Sequence, residues 1–399
     1  MNHDLSFERA IAFARDLIRL PGLSGEERAV AERVRDEMSA LGYDDVHIDD
    51  AGNVIGRIRG GPGNAVMLSC HLDAVDVGDP GTWQHGPFEA DLDDEFLHGR
   101  GAMDIKGPLA IQTYAAAHFG EDRPPGDIWV AHTVYEERGG WGMERLLESG
   151  EVRPAAVIIG ESTNGDVCIG HRGRAEIIVE IEGVAGHASA PERASNPLAL
   201  LPRVIPALER FAATLASDLV LGASTLAPTM VETLPRSQNV IPDRVRIVCD
   251  WRVLPDMTAE RAVATLQSFL DREVAVTPPC RMTVRPAIET QRTWTGIADD
   301  RRLFTPGFLA DAAHPIVQAA ARTIAESTGR TPAIRPWTFA TDGGHSCGVH
   351  GIPTIGYAPG EERYAHTNRE RLALADARTA YGAYPAIIRA VLDAAQAGA

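Results

Sequence analysis

The sequence predicts an α/β protein with a mostly parallel central sheet and a second, smaller α+β domain inserted into it. In the first 160 residues, and again near the C-terminus, short apolar runs alternate with helical stretches, as in a parallel sheet covered by helices. Between about residues 175 and 288 the order changes to strand, helix, strand, strand, helix, strand, a ferredoxin-like order. We therefore assign residues 1–174 and 289–399 to a discontinuous larger domain and residues 175–288 to the insert.

Two helices are predicted at the start of the chain. Apolar residues recur at spacings of four and three from Phe7 to Ile18, and Pro21 follows this stripe. Ser24 and Glu27 have the spacing of a capping box, which predicts that a second helix begins there. Gly42 is expected to end that helix.

The remaining elements of the larger domain follow from apolar runs and helical periodicity. The predicted strands span residues 65–70, 128–134, 155–159 and 352–357, and the predicted helices span residues 107–119, 142–148 and 376–394. In the insert, strands are expected at 176–182, 224–232, 245–253 and 281–287, with helices at 196–215 and 258–274. Pro202 and Pro206 are expected to kink the first of these two helices.

Composition excludes several classes of protein. With 399 residues, 44% of them hydrophobic and 23% charged, the chain has the composition of a globular protein of two domains. The balance of 38 Lys plus Arg against 55 Asp plus Glu gives a net charge of −17. Because the phosphate backbone repels such a chain, we expect no nucleic-acid partner.

The cysteines and the N-terminus favour a cytoplasmic protein. The five cysteines are scattered without a CxxC pair, so neither a disulfide framework nor a cysteine-rich zinc site is predicted. Asp4, Glu8 and Arg9 interrupt the position where a signal peptide needs an apolar stretch. Since the chain also has no run of about 18 apolar residues, we expect it to be neither exported nor membrane-spanning.

Polar side chains follow three of the predicted strands, at the point where each strand ends. His71 follows the first strand, Glu136 and Glu137 follow the second, and Glu161 follows the third. Ligands of open α/β sheets bind at the carboxyl ends of the strands. The segments GRGAMDIKG (99–107) and YAHTNRE (364–370) add a carboxylate and an imidazole. Two histidines and three carboxylates form the ligand set of a two-metal hydrolytic site, with zinc as the expected metal and cobalt or manganese as alternatives.

Six segments in order resemble the M20 metallopeptidase family, which includes acetylornithine deacetylase, succinyl-diaminopimelate desuccinylase and glutamate-releasing carboxypeptidases. The segments are HLDAVD, GRGAMDIKG, the Glu136–Glu137 pair, GES, GVAGHASAPE and AHTNRE, and they span essentially the whole chain. The resemblance implies a zinc-peptidase-like catalytic domain and an inserted domain that acts as a lid and forms a dimer.

The resemblance also implies a role for individual residues. His71 and Glu161 would bind one metal ion, Glu137 and His366 would bind the other, and Asp104 would bridge both ions. In this family the peptide bond that follows the bridging aspartate is often cis. That bond joins Asp104 to Ile105 in this sequence.

Further positions match residues that assist the reaction. Asp73 would hold the ring of His71, and Glu136 would act as the general base. On the insert, His187 would stabilise the charge that develops on the carbonyl oxygen. Asn239 and Arg252 would hold the substrate, with Arg252 on its carboxylate.

The expected function is that of a dinuclear metal-dependent amidohydrolase, which cleaves the amide bond of an N-acyl amino acid or short peptide with a metal-bridging hydroxide. A dipeptidase or carboxypeptidase of the same family is the alternative. The expected assembly is a homodimer formed through the lid domain, in which His187 serves the active site of the neighbouring chain.

Two other functions must be weighed against this one. GHSCG (344–348) fits the G-x-S-x-G pattern of a serine hydrolase with Ser346 as nucleophile, but the flanking sequence does not predict the strand and helix that this turn needs. A non-catalytic binding protein is expected to lack a ligand or the base, and none is missing.

Two further positions are ambiguous. Asp342 matches a family position near the substrate pocket or forms a simple turn. Tyr135 replaces an aspartate of many members, with little expected effect.

Overall fold

The computed structural model describes residues 4–397, which contain eight α-helices. The helices are α1 (Phe7–Ile18), α2 (Arg28–Ala40), α3 (Lys106–Ala117), α4 (Trp141–Ser149), α5 (Leu201–Ala212), α6 (Ala259–Glu273), α7 (Pro315–Thr328) and α8 (Leu374–Ala397).

The strands include many short ones. The first eight are β1 (Asp45–Ile48), β2 (Val54–Ile58), β3 (Gly63–His71), β4 (Phe96–His98), β5 (Gly126–Thr133), β6 (Ala156–Ile159), β7 (Val167–Cys168) and β8 (Gly170–His171). The next eight are β9 (Gly173–Glu182), β10 (Gly186–His187), β11 (Ser217–Asp218), β12 (Gly222–Ala223), β13 (Thr225–Leu234), β14 (Val240–Ile241), β15 (Arg244–Val253) and β16 (Arg281–Pro286). The last seven are β17 (Ile288–Arg292), β18 (Ala298–Arg302), β19 (Phe304–Thr305), β20 (Phe308–Leu309), β21 (Ile334–Arg335), β22 (Thr354–Gly356) and β23 (Arg371–Ala373).

The described chain divides into two compact units. The smaller unit comprises residues 171–290 and 300–307, and the larger unit comprises the rest. These limits lie within a few residues of the expected ones, except that residues 300–307 pack with the smaller unit. The reason is that β19 pairs with β9, which places Phe304 opposite Ala175.

The larger unit is built on an eight-stranded, mostly parallel sheet in the order β1-β2-β5-β3-β6-β22-β7-β21. The four strands expected from apolar runs are β3, β5, β6 and β22, and they are adjacent and parallel at its centre. Antiparallel pairs occur where β1, β2 and β5 meet and where β22 meets β7. The sequence does not predict β1, β2 or α7. In β1 and β2, polar residues and Gly56 interrupt the apolar residues.

The two faces of this sheet are covered by different helices. Val66, Leu68 and Cys70 of β3 belong to the core that includes α1, α2, α3 and α8, whereas Met67 belongs to a second core with α4. This alternation follows from the period of two residues along a strand. Both faces are therefore buried, and polar groups of the central strands are accessible at the strand ends.

The register brings three strand ends to one edge of the sheet. His71 of β3 lies opposite Thr133 of β5, and Ser69 lies opposite Ile159 of β6. The polar residues that follow these strands therefore emerge side by side, as the sequence predicts.

The smaller unit contains an antiparallel sheet in the order β13-β15-β9-β16, with α5 and α6 packed on one face. Burial alternates strictly along β9 and β15, and the buried set includes Val245, Ile247 and Trp251. The predicted helix over residues 196–215 is shorter in the structure: a 3₁₀ turn spans Pro197–Leu200 and α5 begins at Leu201. Pro202 lies in the first turn of α5, where its missing N–H costs nothing.

The predicted capping box of α2 is wrong. Glu27 occupies the N-cap position, but no side-chain cap hydrogen bond forms there. Ser24 Oγ donates instead to Asp73 Oδ2, at 2.6 Å, and Glu27 is completely buried. Both side chains point to the end of β3 and the loop after β5 rather than to the helix that follows them.

No helix among residues 4–397 combines the length and the apolar character that crossing a membrane requires.

Candidate metal centre

His71 is the buried centre of a cluster at the carboxyl edge of the larger sheet. Its Nδ1 donates to the backbone carbonyl of Asp73, at 2.8 Å. Because a carbonyl oxygen only accepts, this contact fixes the proton on Nδ1 and leaves Nε2 as the lone-pair nitrogen. Nε2 lies 3.2 Å from Asp104 Oδ1 and 3.2 Å from Glu161 Oε1.

His366 forms a second group on the other side of Asp104. Its Nε2 lies 3.2 Å from Asp104 Oδ2 and 3.1 Å from Glu137 Oε1. Asp104 thus directs one carboxylate oxygen to each histidine. His366 is held with φ at 60°, a left-handed conformation that is uncommon outside glycine and is frequent at functional sites.

The spacing of these atoms fits metal ions. Two ligand atoms that are each about 2.0–2.1 Å from a tetrahedral zinc are about 3.3 Å apart, close to the separations of 3.1–3.2 Å in both groups. Ligand atoms of His71, Asp104 and Glu137, and likewise those of His71, Glu136 and Glu161, lie within 4.8 Å of one another. These two groups share His71, and Asp104 contacts both His71 and His366, so the residues have the spacing of a metal site.

The electrostatics of the cluster also favour bound cations. Burial, and after it the charge of Asp104, raises the pKa of Glu161 to about 7. Burial also raises the pKa values of Glu136 and Glu137. Hydrogen bonds to Asp104 and Glu137 raise the pKa of His366 to about 10. Buried carboxylates that repel one another are stabilised by cations, so the cluster favours bound cations over an empty site.

Asp73 contacts the ring of His71, as expected, and it also supports the neighbouring loop. Its backbone carbonyl lies 2.8 Å from His71 Nδ1, and its Oδ1 lies 3.5 Å from the same nitrogen. The carboxylate also accepts the backbone N–H of Glu136 at 3.1 Å and that of Glu137 at 3.3 Å. Asp73 therefore joins the end of β3 to the loop after β5.

Glu370 supports the loop that carries Asp104. Its Oε1 accepts the backbone N–H groups of Met103 and Asp104, at 3.3 and 3.2 Å, and its Oε2 pairs with Arg100 at 2.5 Å. The peptide bond between Asp104 and Ile105 is cis, which confirms the expectation drawn from the family. The sequence analysis missed Glu370, because its partners lie more than 260 residues earlier in the chain.

Asp342 also lies at this edge of the sheet. It is buried, its Oδ2 accepts the hydroxyl of Thr133 at 2.7 Å, and its Oδ1 has no hydrogen-bond partner among the described residues. Its charge contributes to the raised pKa of Glu136, after burial and Glu161. The proximity to Glu136 favours a role at the site over a simple turn.

The other predicted residues belong to the smaller unit. The short strands β10 and β14 pair His187 with Val240, next to Asn239, so two of the three predicted residues are neighbours. Ser189 donates its hydroxyl to His187 Nδ1, at 2.7 Å, and both His187 and Asn239 are exposed. Arg252 lies on β15, and its Nε donates to Asp250 Oδ1 at 2.8 Å. One carboxylate therefore already partly balances this guanidinium.

The serine-hydrolase alternative fails on geometry. Ser346 lies inside a π-helical segment, Gly344–Val349, and is completely buried. Its hydroxyl lies 2.8 Å from Thr354 Oγ1 and 3.5 Å from the carbonyl of Gly343, and neither group is a base. A nucleophile elbow needs an exposed serine on a sharp turn between a strand and a helix.

Comparisons with known proteins agree with the fold. Residues 67–390 match the model of Peptidase family M20/M25/M40. The Escherichia coli (strain K12) protein named "Uncharacterized protein YgeY" is 31% identical over 379 residues, which cover 94% of this chain and 92% of that protein. Succinyl-diaminopimelate desuccinylase of Methylorubrum populi is 28% identical over 405 residues, with 93% and 95% covered. The structure of YXEP from Bacillus subtilis, described as a dinuclear metal-binding peptidase of the M20 family, has a TM-score of 0.68 at 16% identity, with 97% and 98% covered.

The chain belongs to peptidase family M20/M25/M40. It is a metal-dependent hydrolase that acts on amide bonds. This conclusion also removes the alternative of a non-catalytic binding protein.

Proposed function

We propose that the protein is a dinuclear metallo-amidohydrolase that removes the acyl group of an N-acyl amino acid or cleaves a short peptide. The observation that carries this proposal is the position of Asp104, whose two carboxylate oxygens each lie 3.2 Å from a different histidine. Such a carboxylate is suited to bridge two ions. A dipeptidase or carboxypeptidase is the second candidate, because the same ligand set serves both reactions.

The proposal assigns the ligands in two groups that share one residue. His71 and Glu161 would hold one divalent ion, His366 and Glu137 would hold the other, and Asp104 would contribute to both sites. Zinc is the proposed metal, with cobalt or manganese as alternatives, because imidazole and carboxylate ligands suit all three. When bound, the two ions supply Lewis acidity that polarises the amide carbonyl and lowers the pKa of water.

Glu136 is the proposed general base. Its carboxylate lies within 4.8 Å of ligand atoms of His71 and Glu161. Burial raises its pKa above the ordinary value of a glutamate, which makes it a stronger base than a solvated carboxylate. Glu136 takes the proton of the attacking water and then delivers that proton to the leaving nitrogen of the amide.

We propose that the smaller unit is a lid and dimerisation domain. His187 would donate to the carbonyl oxygen as negative charge develops, Asn239 would hold the substrate, and Arg252 would bind its carboxylate. The edge strand β13 supports a dimer, because Met230 and Val231 are exposed on it. An unpaired edge with apolar residues is a surface on which a second copy of the chain can pair.

We propose a cytoplasmic location. All five cysteines are free, as expected of a protein in a reducing compartment. A net charge of −17 argues against a nucleic-acid partner.

The proposal is tested with a panel of N-acyl amino acids and dipeptides, and the measured quantity is the free amine released. Zinc-loaded protein should hydrolyse at least one member, a strong chelator should abolish that activity, and zinc, cobalt or manganese should restore it. Metal analysis should find about two ions per chain. Full activity in metal-free protein would contradict the proposal.

A further inference from the structure

We infer that Ser24 and Glu27, in the turn before α2, are positioning residues that hold the backbone of residues 135–137 and so aim Glu136. This inference rests on the proposed function, since it gives the two residues an effect on a reaction in which Glu136 is the base. It follows from the failure of the capping box, because that failure leaves two polar side chains directed away from the helix.

Three consecutive N–H groups of the loop after β5 are bound by two carboxylates. Glu27 Oε1 accepts the N–H of Tyr135 at 3.3 Å. Asp73 accepts the N–H groups of Glu136 and Glu137, and Ser24 donates to the same carboxylate at 2.6 Å. The turn thus contacts Tyr135 directly and the two glutamates through Asp73.

The loop needs this support because its backbone is strained. Tyr135 has a φ of 58°, a left-handed conformation that is strained for a bulky residue and persists only where the surroundings impose it. The turn packs closely on the same residue: a Cβ at Gly25 would lie 2.6 Å from the Tyr135 hydroxyl, and Gly25 itself has a φ of 90°. The glycine therefore allows the turn to approach Tyr135.

Burying the carboxyl group of Glu27 costs free energy unless its oxygen atoms accept hydrogen bonds inside the protein. It is completely buried, its Oε1 accepts the N–H groups of Gly25 and Tyr135, and its Oε2 has no partner in the described part of the chain. A buried polar atom without a partner destabilises the fold. Burial raises the pKa of this carboxyl to about 8, so its neutral form resembles a glutamine side chain.

The test uses four variants of the full-length protein. Glu27→Gln keeps the accepting oxygen, Glu27→Leu removes it at similar size, and Ser24→Ala removes the hydroxyl that holds Asp73. Glu37→Leu is the matched control, because Glu37 is also a buried carboxylate and lies on α2, but it accepts hydrogen bonds from Tyr114 and Arg33 and not from the loop.

The first measurement is hydrogen exchange of the peptide that contains residues 133–140, in metal-free protein. Glu27→Leu should speed exchange of these amides by about 10-fold or more, whereas Glu27→Gln and Glu37→Leu should not change it. The second measurement is kcat and KM of the zinc-loaded variants on the best substrate of the panel. Glu27→Leu should lower kcat by about 100-fold at nearly constant KM and metal content, which is the loss expected when a catalytic group is misplaced by about 1 Å. Glu27→Gln should keep kcat near the wild-type value.

Three outcomes would overturn the inference. One is an unchanged rate of hydrogen exchange in Glu27→Leu. Another is an equal change of exchange rate and kcat in Glu27→Gln and Glu27→Leu. The third is a loss of kcat that disappears when activity is expressed per folded, metal-loaded molecule. If Glu27→Leu does not fold, Ser24→Ala decides the matter, with an expected 10-fold loss of kcat and faster exchange. If wild-type protein hydrolyses no member of the panel, the proposed function fails, and the exchange measurement still decides whether the turn holds the loop.

Discussion

The two units place their candidate site residues differently. The larger unit buries most of them at the end of its mostly parallel sheet, where His71 is 2% exposed and Glu161 is 3% exposed, and His366 is its exposed member. The smaller unit presents His187 and Asn239 to solvent. Buried groups that perturb one another's pKa values are typical of catalytic centres, whereas exposed groups become significant when a ligand or partner covers them. The larger unit therefore has the arrangement that is typical of a catalytic centre, whereas the roles proposed for the smaller unit depend on a ligand or partner.

The largest effect is expected from the base in the larger unit. Glu136→Gln keeps the shape of the side chain and removes its proton-accepting ability, so kcat should fall by about 10²–10⁴-fold. Steady-state kinetics and metal analysis of the same sample check this. Metal content should stay at the wild-type level, and loss of metal would mean that the roles of Glu136 and Glu137 are exchanged.

A smaller effect is expected from the histidine in the smaller unit. His187→Ala should lower kcat by about 10²-fold, as the loss of one donor to a developing oxyanion does. The residue is proposed to act in the neighbouring chain, which a mixing experiment checks. When Glu136→Gln and His187→Ala chains are unfolded together and reassociated at random, half the dimers are mixed and have one intact site of two. About a quarter of wild-type activity should then return.

The mixing experiment also has an outcome that contradicts a role in the neighbouring chain. No recovery, despite verified exchange of subunits, would mean that His187 acts within its own chain or has no role. The exposure of the His187 imidazole would then need another explanation.

Arg252 should have a more modest effect, on binding rather than turnover. Its guanidinium is already bonded to Asp250, so only part of its charge is available to a substrate carboxylate. Arg252→Ala should raise KM by about 10-fold for substrates with a free carboxylate and leave kcat within about threefold. Equal effects on a substrate whose carboxylate is amidated would count against this role.

The smallest effect is on stability, and it concerns the larger unit alone. The pKa of Glu27 rises from its ordinary value of 4.5 to about 8 in the folded protein, mainly through burial and then through Asp73. The folded state therefore binds the proton more tightly than the unfolded state does. The stability from this group is fully present below pH 4.5 and is lost as the pH rises through about 8.

Thermal unfolding of metal-free protein between pH 5 and pH 9 tests this dependence. Wild-type protein should lose more stability over this range than Glu27→Gln, which has no proton to lose at that position. Arg252→Ala, a change in the smaller unit, should follow the wild-type curve. A Glu27→Gln curve parallel to that of wild type would contradict the assignment.

Much of the fold could be predicted because its signals are local. Apolar runs located β3, β5, β6 and β22, and helical periodicity located α1, α3, α4 and α8. The strands β1 and β2 escaped prediction because polar residues and Gly56 interrupt their apolar residues, so neither strand shows a long apolar run. Sheet order and register depend on contacts between segments far apart in the chain, so the sequence could indicate only which strand ends carry polar groups.

The sequence by itself determined the kinds of candidate ligand and the strands they follow: His71, Glu136, Glu137 and Glu161 each come within three residues of the end of an apolar run, which is a local property. The tertiary structure decided which atoms meet, and only there does Asp104 direct one oxygen to His71 and the other to His366. It also decided which groups Ser24 and Glu27 contact, whereas the spacing of these two residues in the sequence predicts a helix cap. A helix N-terminus at the surface can be satisfied by water, whereas the N–H groups of residues 135–137 are bound by the carboxylates of Glu27 and Asp73, which are completely buried.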